Sequence, residues 1–245
     1  MRDNCNMITT AMLLGAGRGE RMRPLTDTCP KPLLPVRGRP LVGWTMQAMR
    51  RSGIQQCVLN TAWLGALIET EFGAQAHGLQ LRYSHEGQDF GHALETAGGI
   101  ARALPMLGDA FWLAAGDVFA PTFVFDQDVA QQFVHGQALA HLWLVANPTH
   151  NPHGDFALGD NALLSYGASA QGEMLTYATI GLFKAALFTA PWCNIAHANP
   201  RGDSLPLAPL LRLAMDQGLV TGQRFQGEWV DVGTPQRLDQ LNQTA

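Results

Sequence analysis

Cysteine is scarce in this chain, with four among 245 residues, at Cys5, Cys29, Cys57 and Cys193. They lie far apart, which excludes both the paired spacing of a zinc site and the density of a disulfide scaffold. Charge is sparse too: 15% of residues carry it, and the net is -4 at pH 7. That excludes the broad basic field with which nucleic-acid binders displace counterions, so a phosphate ligand has to be gripped locally. No apolar run is long enough for a membrane span, and Met1–Asn6 mixes both charge signs with polar residues, unlike a signal peptide. Repeats, low-complexity tracts and linkers are also missing. The expectation is a cytoplasmic protein, monomeric or a small homo-oligomer, with no nucleic-acid or membrane partner. It is read as a single domain over residues 1–245, with a disordered tail at 1–8.

What the chain does have is apolar content, 47% of residues, enough for one substantial core. Runs rich in β-branched or aromatic residues recur at Thr10–Leu14, Cys57–Asn60, Leu79–Tyr83, Phe111–Ala115 and His141–Ala146. Helical patterns separate the first four, which predicts an α/β fold with a mainly parallel central sheet and helices on both faces. Helices are expected at Pro40–Ser52, Leu64–Phe72, Ala93–Leu104 and Leu207–Gln217, with a last one after Thr234. Between 147 and 183 short strand-like pieces alternate with Gly, Asn, Asp and Ser turns. That segment is expected to add antiparallel strands or a small subdomain.

The first strand runs directly into Gly15-Ala16-Gly17-Arg18-Gly19-Glu20-Arg21-Met22. Glycines here let main-chain N–H groups approach a phosphate, although a dinucleotide loop or a plain tight turn reads the same. Three absences narrow the choice. No Gly-Lys-Ser/Thr ending follows, the third glycine is one place early for the dinucleotide spacing, and no acid stands about 20 residues on to bind a ribose. Instead Pro30-Lys31-Pro32 follows, where flanking prolines are expected to hold the chain extended, exclude helix and present the ammonium at a fixed place. Asp117 follows an apolar strand and a glycine, at the sheet edge where ligands bind in open α/β folds. Asp231 ends another strand-like run before a helix that Thr234 could cap and Pro235 could open.

Leu-x-Ala-Gly-x-Gly-x-Arg-Met-x-Pro-Leu-Thr followed by Pro-Lys-Pro-Leu-x-Pro resembles the double signature of the sugar nucleotidyltransferases. Within that family the chain is most similar to the short N-acetylmuramate α-1-phosphate uridylyltransferases of peptidoglycan recycling, over Met12 to about Leu238. The resemblance implies a Rossmann-like nucleotidyltransferase fold that joins UTP to a sugar 1-phosphate and releases pyrophosphate, with Mg2+ as cofactor. It implies catalytic roles for Arg21 and Lys31, and a nucleotide site built from Gly15, Ala16, Gly17, Gly19, Glu20, Arg21, Lys31, Thr96 and Gly98. Asp117 and Asp231, the latter within Trp-x-Asp-x-Gly-Thr, are the implied metal ligands, since Mg2+ takes one or two carboxylates and leaves the rest to water and phosphates. Gly154, Asp155 and Gly181 are the implied sugar-side residues. The chain departs from the pattern at Ala115, where many relatives have asparagine, and over Asp89–His92, where it carries extra residues.

Other readings separate on particular residues. A mannose-1-phosphate guanylyltransferase shares both motifs and differs in its base. A glycosyltransferase wants an Asp-x-Asp metal motif, whereas Asp117-Val118-Phe119 offers one acid. A zinc site at His150, His153 and Asp155 has no fourth ligand, and the prolines around it favour an irregular loop. A non-catalytic nucleotide-binding regulator would have no need of Lys31, Arg21, Asp117 and Asp231 together.

Overall fold

The computed structural model describes residues 7–243. Seven strands carry the architecture: β1 (Thr10–Leu14), β2 (Gln56–Thr61), β3 (Leu79–His85), β4 (Ala110–Ala115), β5 (Ala140–Val145), β6 (Glu173–Lys184) and β7 (Val220–Arg224). The helices of two or more turns are α1 (Leu41–Arg51), α2 (Gly65–Phe72), α3 (Glu95–Ala103), α4 (Gln127–His135), α5 (Leu207–Asp216) and α6 (Pro235–Gln243), and a single short one spans Glu86–Phe90. Among the described residues, ten strands form the main sheet. β1 pairs parallel with β2 and β4, β2 with β3, and β5 with β7. The sheet is therefore the expected α/β layer.

β1 alternates strictly. Ala11 and Leu13 enter one core with α1, α2 and α4, while Met12 enters the other with α3 and α5. β4 does the same, sending Trp112 and Ala114 to the first core and Phe111 and Leu113 to the second. A strand buried on both faces reads as a continuous apolar run, which is how both were visible in the sequence. Of the tail expected over 1–8, residues 1–6 lie outside the described residues. Ile8 is buried in the first core, so the packed chain starts there.

The 147–183 segment adds antiparallel strands to the same sheet. β6 pairs antiparallel with β4 along one edge and with β5 along the other, and its first residues pair with Phe156–Leu158. Its register shifts between Tyr177 and Gly181. The extra residues of this bulge bend the strand just where it passes the sheet edge.

Two elements went unread in the sequence. α4 is opened by Asp126, whose carboxylate accepts from the N–H groups of Asp128 at 2.8 Å and Val129 at 3.3 Å. β7, with Gly222 and Gln223 in its middle, has little strand character and forms because its parallel partner β5 is already in place. The proline-flanked lysine also differs from expectation. Lys31–Leu33 is one 3-10 turn, with Leu33 N donating to Pro30 O at 2.9 Å and Leu34 N to Lys31 O at 3.1 Å. Proline at the second position of such a turn loses no internal bond, so the prolines permit a single turn while preventing a longer helix.

A third apolar cluster joins Met22, Leu34, Val36 and Leu41 to Phe119, Val232, Leu238 and Leu241. It packs the C-terminal helix against the chain that carries Lys31.

Candidate active site

The parallel register levels the ends of three strands: Leu14 is beside Asn60 of β2 and Ala115 of β4. Gly15, Asn60 and Gly116 therefore share one edge, and a cleft of about 920 Å3 opens above it. Close approach explains two glycines. A Cβ on Gly116 would fall 2.6 Å from Leu14 O, and one on Gly15 would fall 3.0 Å from Asn60 O. Gly17 differs, because nothing lies within 4 Å of where its Cβ would be. Packing does not require glycine there, whereas bare main chain facing a ligand does.

Gly19 takes the left-handed conformation at φ 68° and starts the 3-10 turn Glu20–Met22. Thr26 Oγ1 donates to its carbonyl at 2.9 Å, tying the loop down. Arg18 strengthens the tie by donating to Thr26 O and Asp27 Oδ1, both at 2.8 Å, while stacking 3.9 Å from the Trp63 ring centroid. Arg21 lines the cleft, is exposed, and meets no carboxylate among the described residues. Its charge is free for an anionic ligand.

Lys31 crosses the cleft floor. Its Nζ lies 2.5 Å from Asp117 Oδ2, and its side chain is 11% exposed against 41% for Asp117. Eighty-six residues separate the two in sequence. Asp117 and Asp231 are brought together by a small antiparallel ribbon, in which Val118–Phe119 pairs with Val230–Asp231 and Val232 N donates to Asp117 O at 2.9 Å. Asp231 is clamped: Arg237 Nη1 bonds its carboxylate Oδ1 and, at 2.9 Å, its main-chain oxygen. His150 Nε2 lies 3.0 Å from the same Oδ1. Asp117 Oδ1 and Asp231 Oδ2 take part in none of these contacts. Free carboxylate oxygens of this kind suit a hard divalent cation completed by phosphate oxygens, and of the two residues Asp117 is the one that lines the cleft.

Of the residues singled out in the sequence, Gly15, Ala16, Gly17, Gly19, Glu20, Arg21, Lys31, Thr96, Asp117, Gly154 and Asp155 all line this cleft. Three others lie elsewhere. A Cβ on Gly98 would meet Asp203 O at 2.5 Å, so that glycine faces the 199–205 loop instead of a nucleotide. Gly181 is inside the sheet, where a Cβ would meet Phe183 at 2.9 Å and His141 O at 3.0 Å. Both glycines serve packing, and neither reaches the cleft. Asp231 is not among the residues that line the cleft, although Gly233, two residues on, is. Asp155 lines the cleft while holding two chain segments, accepting from Tyr177 N at 2.8 Å and Asn151 Nδ2 at 3.1 Å.

Sequence reading missed Asn60, Glu86, Tyr177, Thr179 and Arg212, which also line the cleft. Asn60 carried a signal of the same kind as Asp117, a polar side chain ending a buried parallel strand. Arg212 shares one turn of α5 with Leu207, Ala208 and Leu211, so its helix shows an apolar cleft face with one cation. Tyr177 and Thr179 were hidden by ordinary strand alternation, and Glu86 by its place just after a strand.

Residues 10–154 match the family model described as nucleotidyl transferase. The chain is 43% identical to an N-acetylmuramate alpha-1-phosphate uridylyltransferase from Neisseria meningitidis, covering 96% of this chain and 97% of that one. It is 29% identical to the protein of the same description from Caulobacter vibrioides, over 92% of each chain. Among solved structures, a UDP-glucose pyrophosphorylase from Acinetobacter superposes with a TM-score of 0.74 at 18% identity, covering 96% of this chain and 92% of that one. An inositol-1-phosphate CTP transferase from T. maritima gives 0.68 at 16%, covering 96% of each. The chain belongs to the nucleotidyl transferase family, and the protein is an enzyme of that class. Two relatives that match over nearly all of both chains are described as N-acetylmuramate alpha-1-phosphate uridylyltransferases.

Proposed function

We propose that the protein joins UTP to N-acetylmuramate α-1-phosphate, giving the UDP-sugar and pyrophosphate, as a step of peptidoglycan recycling. The observation that carries this is the meeting of Lys31 and Asp117 at 2.5 Å on the floor of a glycine-lined cleft. The 43% identity over nearly the whole chain supports the choice of base and sugar. No helix among the described residues is long and apolar enough to cross a membrane. We place the enzyme in the cytoplasm, where scattered thiols such as Cys57 and Cys193 stay reduced.

In this reading the bare amides around Gly17 and Gly19 hold the triphosphate, and Thr96 at the start of α3 borders the base. Gly154, Asp155, Tyr177 and Thr179 border the sugar. An oxygen of the sugar phosphate attacks the α-phosphorus in line. The bond from that phosphorus to the bridging oxygen breaks, and its electrons leave with pyrophosphate. A phosphate monoester is already ionised at neutral pH, so no side chain has to remove a proton. Arg21 faces the charge that grows on the leaving group, and Lys31 steadies both partners, so fixed cations do most of the catalytic work. Asp117 and Asp231 would hold Mg2+, which when bound supplies positive charge shared among the phosphates.

The decisive experiment incubates the protein with Mg2+, each of UTP, dTTP, GTP and CTP, and a panel of sugar 1-phosphates, and measures pyrophosphate. UTP with N-acetylmuramate α-1-phosphate is expected to turn over fastest. Faster release with GTP and mannose 1-phosphate would make the enzyme a guanylyltransferase instead.

A further inference from the structure

Glu86 is a fully buried carboxylate bonded to neutral partners, with no lysine or arginine paired to it among the described residues. It directly follows β3, and its two oxygens are divided between two partners. Asn60 Nδ2 donates to Oε1 at 2.7 Å, and the main-chain N–H of Leu94 donates to Oε2 at 2.8 Å. Asn60 turns its other end to the glycine loop, where Gly15 N donates to its Oδ1 at 2.8 Å. The chain of bonds thus runs from the phosphate loop, through Asn60 and Glu86, to the residue that precedes α3. The first turn of α3, through Glu95 and Thr96, borders the other end of the same cleft.

The surroundings are shaped to keep this carboxylate in place. A Cβ on Gly99 would lie 2.5 Å from Glu86 Oε1 and 3.0 Å from Asn60 Nδ2, so the glycine of α3 leaves room for the pair. A Cβ on Gly87 would fall 2.7 Å from the main chain of Ala62, which pins the chain after Glu86 onto the chain after β2. Burial pushes the Glu86 carboxyl above the usual range, opposed by the Leu94 and Asn60 hydrogen bonds. Burying an acid at this spot is costly, and it is retained where neutral residues would pack at less cost.

We propose that Glu86 is a positioning residue that, through Asn60, sets the distance and orientation between the glycine loop and the start of α3, and so presets the nucleotide half of the cleft. The inference rests on the nucleotidyltransferase reading above, and it assigns Glu86 no contact with substrate. The relay has a fixed polarity: both Glu86 oxygens accept, and Asn60 donates on one side while accepting on the other. In Glu86→Gln an NH2 must face a donor somewhere: the new one at Leu94 N or at Asn60 Nδ2, or, if Asn60 turns over, the Asn60 NH2 at Gly15 N. In Asn60→Asp two carboxylates face each other. Combining Glu86→Gln with Asn60→Asp restores every bond: the introduced amide donates to the introduced carboxylate, and the N–H groups of Gly15 and Leu94 both keep acceptors.

The test compares the wild type with these three variants by UTP and Mg2+ titration calorimetry, by KM for each substrate, and by hydrogen exchange of the glycine-loop peptide in the ligand-free protein. Each single variant is expected to weaken UTP binding about tenfold or more, the range for one mismatched buried hydrogen bond, and to speed exchange in the loop. The KM for the sugar phosphate should stay within about twofold, and the double variant should return most of both losses, as coupled neighbours do. A double variant no better than the worse single, or a loss shared equally by both substrates, would overturn the proposal. If the wild type uses none of the triphosphates, the functional reading fails separately, and loop exchange across the four proteins still decides the relay.

Discussion

Lys31 and Asp117 show how much one contact can carry. Each is an ordinary residue in sequence, and each could be a solvated charge or a turn acid. Their ion pair at 2.5 Å, with Lys31 nearly enclosed, fixes an ammonium at the point where we propose the phosphates bind. Lys31→Ala and Asp117→Asn are each expected to lower kcat by about 10²–10³-fold, the usual cost of removing one preorganised electrostatic group. Circular dichroism should remain that of the wild type, and wild-type turnover in both variants would end the assigned roles. Lys31 was legible because prolines on both sides and a glycine loop upstream set it apart. Glu86 was illegible because a glutamate after a strand has many uses, and only burial distinguishes this one.

At the scale of elements, β6 shapes the wall of the cleft that we assign to the sugar. Its register shift leaves Tyr177 and Thr179 on the cleft wall and Gly181 back inside the sheet, with Thr179 held at φ 55°. Sequence resemblance put Gly181 beside the sugar, and the bulge turns it the other way. Gly181→Ala is therefore expected to cost stability, about 1–3 kcal/mol by overpacking against Phe183 and Leu142, and to leave the KM for the sugar phosphate nearly unchanged. Chemical denaturation and steady-state kinetics together test this. A raised KM at unchanged stability would return Gly181 to the binding site. The strands β1, β2 and β4 were readable because their centres are buried on both faces and therefore apolar, and β3 because buried Leu79 and Leu81 alternate with exposed Gln80 and Arg82. β7 was not, because its neighbour supplies what its own side chains lack.

Across the whole molecule, the two cores on opposite faces hold the sheet, and a half-buried histidine links their stability to pH. His141 in β5 bonds Thr221 of β7 through Nδ1 at 2.8 Å, and burial lowers its pKa from 6.5 to about 4. The folded state therefore resists protonation that the unfolded chain accepts. The stabilisation from the neutral ring is complete above pH 6.5 and is lost as pH falls toward 4, because in that window the unfolded chain binds more protons. Denaturant melts from about pH 7 to about pH 5 should show this decline, and His141→Gln should flatten it. An unchanged slope in the variant would assign the acid sensitivity to other groups.

The sequence by itself determined the layering of this protein, the sheet edge over which the cleft opens, and the glycines and lysine that line it. Those features follow from local patterns: apolar period, glycine where side chains obstruct, proline where the chain must stop. Tertiary structure alone decided that Asp231 is clamped by Arg237, that Gly98 and Gly181 serve packing, and that Asn60 and Glu86 join the glycine loop to the start of α3. Each of these depends on what a distant segment places within a few ångströms, and burial and hydrogen-bond partners across such distances leave no mark on neighbouring letters.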